Sequence, residues 1–134
     1  MSPANTRTVL LIDDELSAVD LYALAIGEHF RVLTATTARA GYALAQQERP
    51  DAIVIDMLLP DLHGLDLSRR LSEDARTTAI PRIVLTGDDD SIAHAARFRF
   101  EAVLRKPCPV EDLLLVLDRA TSARSESTSE TSHR

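Results

Sequence analysis

The sequence predicts an α/β fold, a doubly wound parallel sheet with helices on both faces. Three observations carry this. Short apolar runs alternate with stretches of helical periodicity five times along the 134 residues, and repeated strand-then-helix units imply a parallel sheet. The runs are continuously apolar, as strands buried on both faces should be. Several end on a polar group: Asp13 and Asp14 follow Val9-Leu10-Leu11-Ile12, Asp56 follows Ala52-Ile53-Val54-Ile55, Thr86 follows Ile83-Val84-Leu85, and Lys106 follows Ala102-Val103-Leu104-Arg105. In an open parallel sheet the carboxyl ends of the strands lie together, and ligands bind in the crevice outside them.

The elements follow in order. Residues 9–12 form the first strand; Leu16, Val19, Ala23 and Ile26 then recur at helical spacing, with Gly27 near the helix end. Residues 31–35 read as the second strand, and Thr37 is placed to cap a helix whose Ala40, Ala43 and Leu44 share a face. Pro50-Asp51 breaks the chain before the third strand at 52–55. Pro60 and Gly64 bracket a turn, and a third helix begins over 65–71. Pro81 precedes the fourth strand. Asp88, Asp89 and Asp90 suit the positive end of a helix dipole over about 91–97. Residues 102–105 form the fifth strand. Pro109 suits the first turn of a last helix, with Val110, Leu113, Leu114 and Leu117 facing inward.

A chain of this length favours one domain with one core. Residues 1–6 read as an extension, 7–120 as the domain, and 121–134, mostly Ser, Thr and charges, as a disordered tail. The net charge of −6, from 15 basic and 21 acidic residues, disfavours direct nucleic-acid binding, which draws affinity from Lys and Arg on phosphates. No apolar run approaches the roughly 18 residues of a membrane span. The start lacks an apolar targeting core, and the single Cys108 rules out an intrachain disulfide. A cytoplasmic location is expected.

Three carboxylates gathered at one sheet edge would repel one another. A hard divalent cation removes that cost, and Mg²⁺ takes one or two carboxylates together with phosphate oxygens. A carboxylate is also a nucleophile able to form an aspartyl-phosphate. Phosphoryl transfer needs mainly positioning and charge neutralisation, which Mg²⁺ and Lys106 supply. The Thr86 hydroxyl is able to hydrogen-bond a phosphoryl oxygen, and Gly87 leaves room for it. Asp56, between the others in strand sequence, is the natural phosphoacceptor. An Asp-Asp pair before a helix is also an ordinary cap, and a Lys-Pro an ordinary strand exit. Only their joint position at successive strand ends gives them weight.

On these residues the chain resembles the receiver domain of two-component response regulators, from about Arg7 to Ala120. The segments that carry the resemblance are Leu11-Ile12-Asp13-Asp14-Glu15, residues 50–57, Pro60 through Gly64, Val84-Leu85-Thr86-Gly87 and Lys106-Pro107. The resemblance implies a flavodoxin-like five-stranded sheet in order 2-1-3-4-5 with five helices. It implies that Asp56 accepts phosphate from a sensor histidine kinase or phosphotransfer protein. It further implies that Asp13, Asp14, Asp56 and the backbone carbonyl of Leu58 hold Mg²⁺, and that Thr86 and Lys106 contact the phosphoryl group. The family is regulatory rather than enzymatic, although it promotes its own phosphotransfer and dephosphorylation.

Two departures matter. The switch position three residues before the lysine usually carries Tyr or Phe but is Val103 here, so no ring can swing inward. The stretch from Thr86 to Lys106 is shorter than usual, which predicts a short or shifted fourth helix. Phe98 and Phe100 read first as core packing that makes up for the missing ring, and otherwise as a partner-binding face. Leu115 and Val116 either widen the core contact or support a homodimer through the fourth helix, fifth strand and fifth helix. The four histidines show no ligand spacing and read as solvated; Cys108 reads as a small buried residue.

With no basic helix-turn-helix pattern and no catalytic output motif, a stand-alone regulator that signals by altered binding to a downstream protein is expected. The alternatives are a scaffold that works without phosphate, a Mg²⁺-dependent aspartyl-phosphate phosphohydrolase, or a receiver whose tail links to another domain. The phosphohydrolase reading requires an acid two positions after the nucleophile, where this chain has Leu58.

Overall fold

A computed structural model describes residues 6–132, with side chains described over 6–122. The elements alternate without exception: β1 (Thr8–Ile12), α1 (Leu16–Ile26), β2 (Arg31–Ala35), α2 (Ala38–Glu48), β3 (Ala52–Ile55), α3 (Gly64–Glu73), β4 (Arg82–Thr86), α4 (Asp89–Ala95), β5 (Ala102–Arg105) and α5 (Val110–Ser132). All pairings are parallel, in the order β2-β1-β3-β4-β5. The fold class and order expected from the sequence are those observed.

Successive side chains of a strand point to opposite faces, so each continuous apolar run feeds two cores. Val9, Leu11, Val54, Ile83 and Leu85 pack with Val19, Tyr22 and Ile26 of α1 and Leu113 and Leu117 of α5. Leu10, Ile12, Ile53, Ile55 and Val84 pack with Ala38 and Ala45 of α2, Leu67 and Leu71 of α3, and Ala95 of α4. Two helices therefore cover one face and three the other. The single wound sheet leaves its carboxyl edge free for chemistry.

The starts of α2, α3 and α4 are satisfied by side chains, which supply partners to orphan backbone donors. Thr37 Oγ1 accepts from the Ala40 amide at 3.1 Å, and Asp61, from the loop after β3, accepts from Ala38 and Arg39 at 2.8 and 2.9 Å. Those two amides hold Asp61 below the usual carboxylate range. Asp88 caps α4, whose seven residues fit the shortened stretch before β5.

Several expectations are corrected. In α1 the inward positions are Val19, Tyr22 and Ile26, whereas Leu16 is exposed. In α2 the buried face is Ala38, Gly41 and Ala45, displaced from Ala40, Ala43 and Leu44 because Gly41 lets the helix sit on Ile12. A Cβ at Gly41 would lie 2.4 Å from Ile12 Cδ1. Phe100 packs against the core but Phe98 is exposed. Leu115 is half exposed, while Val116 packs against the core. The segment from Thr121, expected to be disordered, continues α5 as far as Ser132. Its first turn is held from β1's entry, where Arg7 donates to Thr121 Oγ1 at 2.9 Å and Ser122 Oγ at 3.1 Å. Residues 1–5 of the expected extension and His133 lie outside the described residues.

Candidate functional site

Asp13 and Asp56 leave adjacent strands, since Ile12 pairs with Ile55 in register. Thr86 and Lys106 leave β4 and β5 beside them, and the Lys106 amide continues the ladder by donating to the Thr86 carbonyl at 3.0 Å. Topology alone thus brings together residues far apart in the chain. Lys106 Nζ lies 2.6 Å from Asp13 Oδ2 and 3.4 Å from Asp56 Oδ2, across sequence separations of 93 and 50. One carboxylate oxygen each from Asp13, Asp14 and Asp56 lies within 4.8 Å of the others. Asp13, Asp56 and Thr86 are buried, at 1, 8 and 1% exposure, while Asp14 faces solvent.

The electrostatics follow from that burial. Desolvation pushes the Asp13 carboxyl up, opposed by its hydrogen bond to Lys106 and by the Glu15 amide at 2.9 Å. Burial alone would lower Lys106, but Asp13 and Asp56 outweigh it and hold the ammonium protonated. An oxygen-only donor set with excess negative charge, two of its three carboxylates buried, suits a hard divalent cation.

The other expected residues are less central. Leu58 is half exposed; its amide approaches Asp56 Oδ1 at 3.4 Å, and it forms an isolated bridge with His63. The Thr86 hydroxyl accepts from the Asp88 amide at 3.4 Å. Val103 stands opposite Val84 and packs, partly buried, on the α2–α3–α4 side. A Cβ at Gly87 would meet only Lys106 Cβ, at 3.8 Å.

Sequence reasoning missed two features. Glu15 reaches Lys106 Nζ at 3.4 Å, a contact its place after the acidic pair offered as a signal. His63, expected to be solvated, caps α3 by accepting from the Leu65 amide at Nδ1, 3.1 Å, and its Nε2 lies 3.1 Å from Ser91 Oγ. Nothing in local pattern announces a contact between the cap of α3 and the first turn of α4.

A parallel sheet in this order, with acids and a lysine converging at its carboxyl edge, defines the receiver class of domain. Residues 9–118 match the response regulator receiver domain, and the chain belongs to that family. It is similar to Protein PilH of Pseudomonas aeruginosa, 36% identical over 115 residues that cover 82% of this chain and 93% of PilH. It is also similar to the phosphate regulon transcriptional regulatory protein PhoB of the same species, 30% identical over 111 residues, 81% of this chain but only 48% of PhoB. The chain thus spans about half the length of that relative. Among solved structures, a response regulator receiver domain protein from Clostridium thermocellum superposes with a TM-score of 0.81 at 26% identity, covering 89% of this chain and 97% of that one. A CheY-like receiver from Methanospirillum hungatei gives 0.82 at 21% identity, covering 92 and 99%, a likeness of fold. The acid cluster is one that a metal ion could occupy. Among the described residues no helix is long and apolar enough to cross a membrane.

Proposed function

We propose that this receiver accepts a phosphoryl group on Asp56 from a phosphohistidine of a sensor kinase or phosphotransfer protein, and passes the signal on through altered binding to a downstream protein. The observation that carries the reading is the convergence of Lys106 Nζ on the carboxylates of Asp13 and Asp56 at a strand edge. An Asp56 carboxylate oxygen attacks phosphorus as the P–N bond to the donor imidazole breaks, and the imidazole nitrogen takes a proton. Lys106, already beside Asp56, moves its ammonium onto a phosphoryl oxygen, and the Thr86 hydroxyl donates to another. Asp13, Asp14, Asp56 and the Leu58 carbonyl would hold Mg²⁺, which when bound neutralises charge on the transferring group. Asp13 also fixes Lys106 by the 2.6 Å contact. A cytoplasmic location belongs to this reading. So does association of two copies through α4, β5 and α5, where Leu115 is half exposed; sedimentation with and without phosphodonor tests it.

Intact-mass measurement after incubation with acetyl phosphate and Mg²⁺ tests the reading. One phosphoryl adduct is expected in the wild type and none in Asp56→Asn, with slower uptake in Lys106→Ala. No adduct on the wild type, or an equal one on Asp56→Asn, overturns it. Val103 favours a second reading, a scaffold that binds its partner regardless of phosphate; partner binding unchanged by Asp56→Asn would support it. For a phosphohydrolase, Leu58 two positions after Asp56 offers no acid, and steady phosphate release from an added ester is the result that would favour it.

A further inference from the structure

Two loops flank Asp56, and a partly buried chain of hydrogen bonds joins them. The first loop follows β3. Its Leu58 amide approaches Asp56 Oδ1 at 3.4 Å, and Leu58 is bridged to His63. His63 Nδ1 accepts from the Leu65 amide, so this nitrogen carries no proton and the neutral ring bears it on Nε2. Nε2–H therefore donates to Ser91 Oγ at 3.1 Å. The Ser91 hydroxyl in turn donates to Asp88 Oδ2 at 2.5 Å, and the same oxygen accepts from the Ser91 amide at 2.9 Å. Asp88 belongs to the second loop, between β4 and α4, and its amide donates to Thr86 Oγ1 at 3.4 Å. Every donor and acceptor in the chain has one consistent role.

The chain lies where a bond counts. Ser91 is 2% exposed, and a buried polar group that loses its partner is costly. The Ser91 hydroxyl and amide hold the Asp88 carboxyl below its usual range through those two bonds. Helix α4 has only seven residues and is capped by Asp88. Its amino end is thus fixed from both flanking loops at once. Val103 has no ring to register a shift of Thr86.

From this we propose that His63, Ser91 and Asp88 are positioning residues that transmit the state of Asp56 to α4, in place of a rotating aromatic at position 103. The proposal rests on Asp56 being the phosphoacceptor. Phosphorylation draws the Thr86 hydroxyl toward the phosphoryl group and away from the Asp88 amide. The Asp88–Ser91–His63 chain then carries that displacement into α4 and back to the loop after β3.

The test uses three proteins: wild type, Ser91→Ala, and His63→Asn, which keeps a capping side chain on α3 while shortening its reach to Ser91. Intact mass after acetyl phosphate and Mg²⁺ reads phosphorylation, and amide NMR shifts read α4. All three are expected to take up one phosphoryl group. On phosphorylation the wild-type amides of residues 89–97 shift, and the shift falls by at least half in both variants. Undiminished α4 shifts in the phosphorylated variants overturn the relay and leave the phosphoacceptor reading intact. So does a phosphorylated wild type whose α4 amides stay still. Failure of the wild type to take up phosphate overturns both.

Discussion

Replacing Gly64 by alanine tests how closely the fold holds Asp56. Gly64 opens α3, where alanine gains at most about 1 kcal/mol of helix preference over glycine. Against this, the new Cβ would lie 2.8 Å from the Asp56 carbonyl oxygen and 2.8 Å from Met57 Cα, as well as 2.6 Å from Met57 Cε. The thioether end is flexible and turns away. The two backbone atoms belong to the peptide that carries Asp56 and move only if the loop moves. Overpacking of this kind costs about 1–3 kcal/mol, and contacts with backbone put it at the upper end, near 3 kcal/mol. The net expectation is a loss of about 2 kcal/mol, or about 8 °C in Tm at about 4 °C per kcal/mol for a domain of this size. Urea titration should show a lower midpoint with an unchanged slope. Phosphoryl uptake should fall as well, because the displaced peptide reorients the Asp56 carboxylate. A variant as stable as the wild type, or more so, would refute the reasoning from close approach.

Leu113, fully buried between α5 and the sheet, should cost about 2–5 kcal/mol as Leu113→Ala, read by urea denaturation. Asp74 accepts from Tyr42, Gln46 and Arg76, with Arg76 the largest influence, and is held well below its usual range. A depressed folded-state value stabilises the fold above the unfolded value of about 3.9, and that stability is lost as pH falls through the folded one. The stability difference between wild type and Asp74→Asn should therefore hold from neutrality to about pH 5 and shrink in stronger acid, measured by denaturation at each pH. Mg²⁺ should raise the Tm of the wild type, by about 2.7 kcal/mol of stability at about 100 times its dissociation constant. Asp14→Asn, at an exposed position, should remove most of that rise in the same thermal scan without unpacking the core.

Strand positions were legible because burial on both faces demands unbroken apolar runs, and the runs at β1, β3 and β4 have no other use. Placing Asp13, Asp56 and Lys106 together needed only strand ends and parallel order. Helix faces were harder. In α2 the contact with Ile12 is made by Gly41, whose value is its missing Cβ, so a reading by hydropathy moved the face to larger neighbours. In α1, Tyr22 is buried by virtue of its hydroxyl's partner, whereas Leu16 is exposed beside the acidic edge. The reach of His63 to Ser91 depends on how the start of α3 and the start of α4 sit beside each other over the sheet, and no periodicity encodes that.

The Tyr22 hydroxyl donates to the Cys108 carbonyl at 3.1 Å and accepts from the Cys108 amide at 3.3 Å, in a setting only 5% exposed. Helix α1 begins directly after the acidic pair, and Cys108 lies two residues beyond Lys106. One hydroxyl therefore ties the helix that follows the anions to the loop that follows the cation. A partner that tilted α1 would thereby pull on the loop next to Lys106 without touching the crevice.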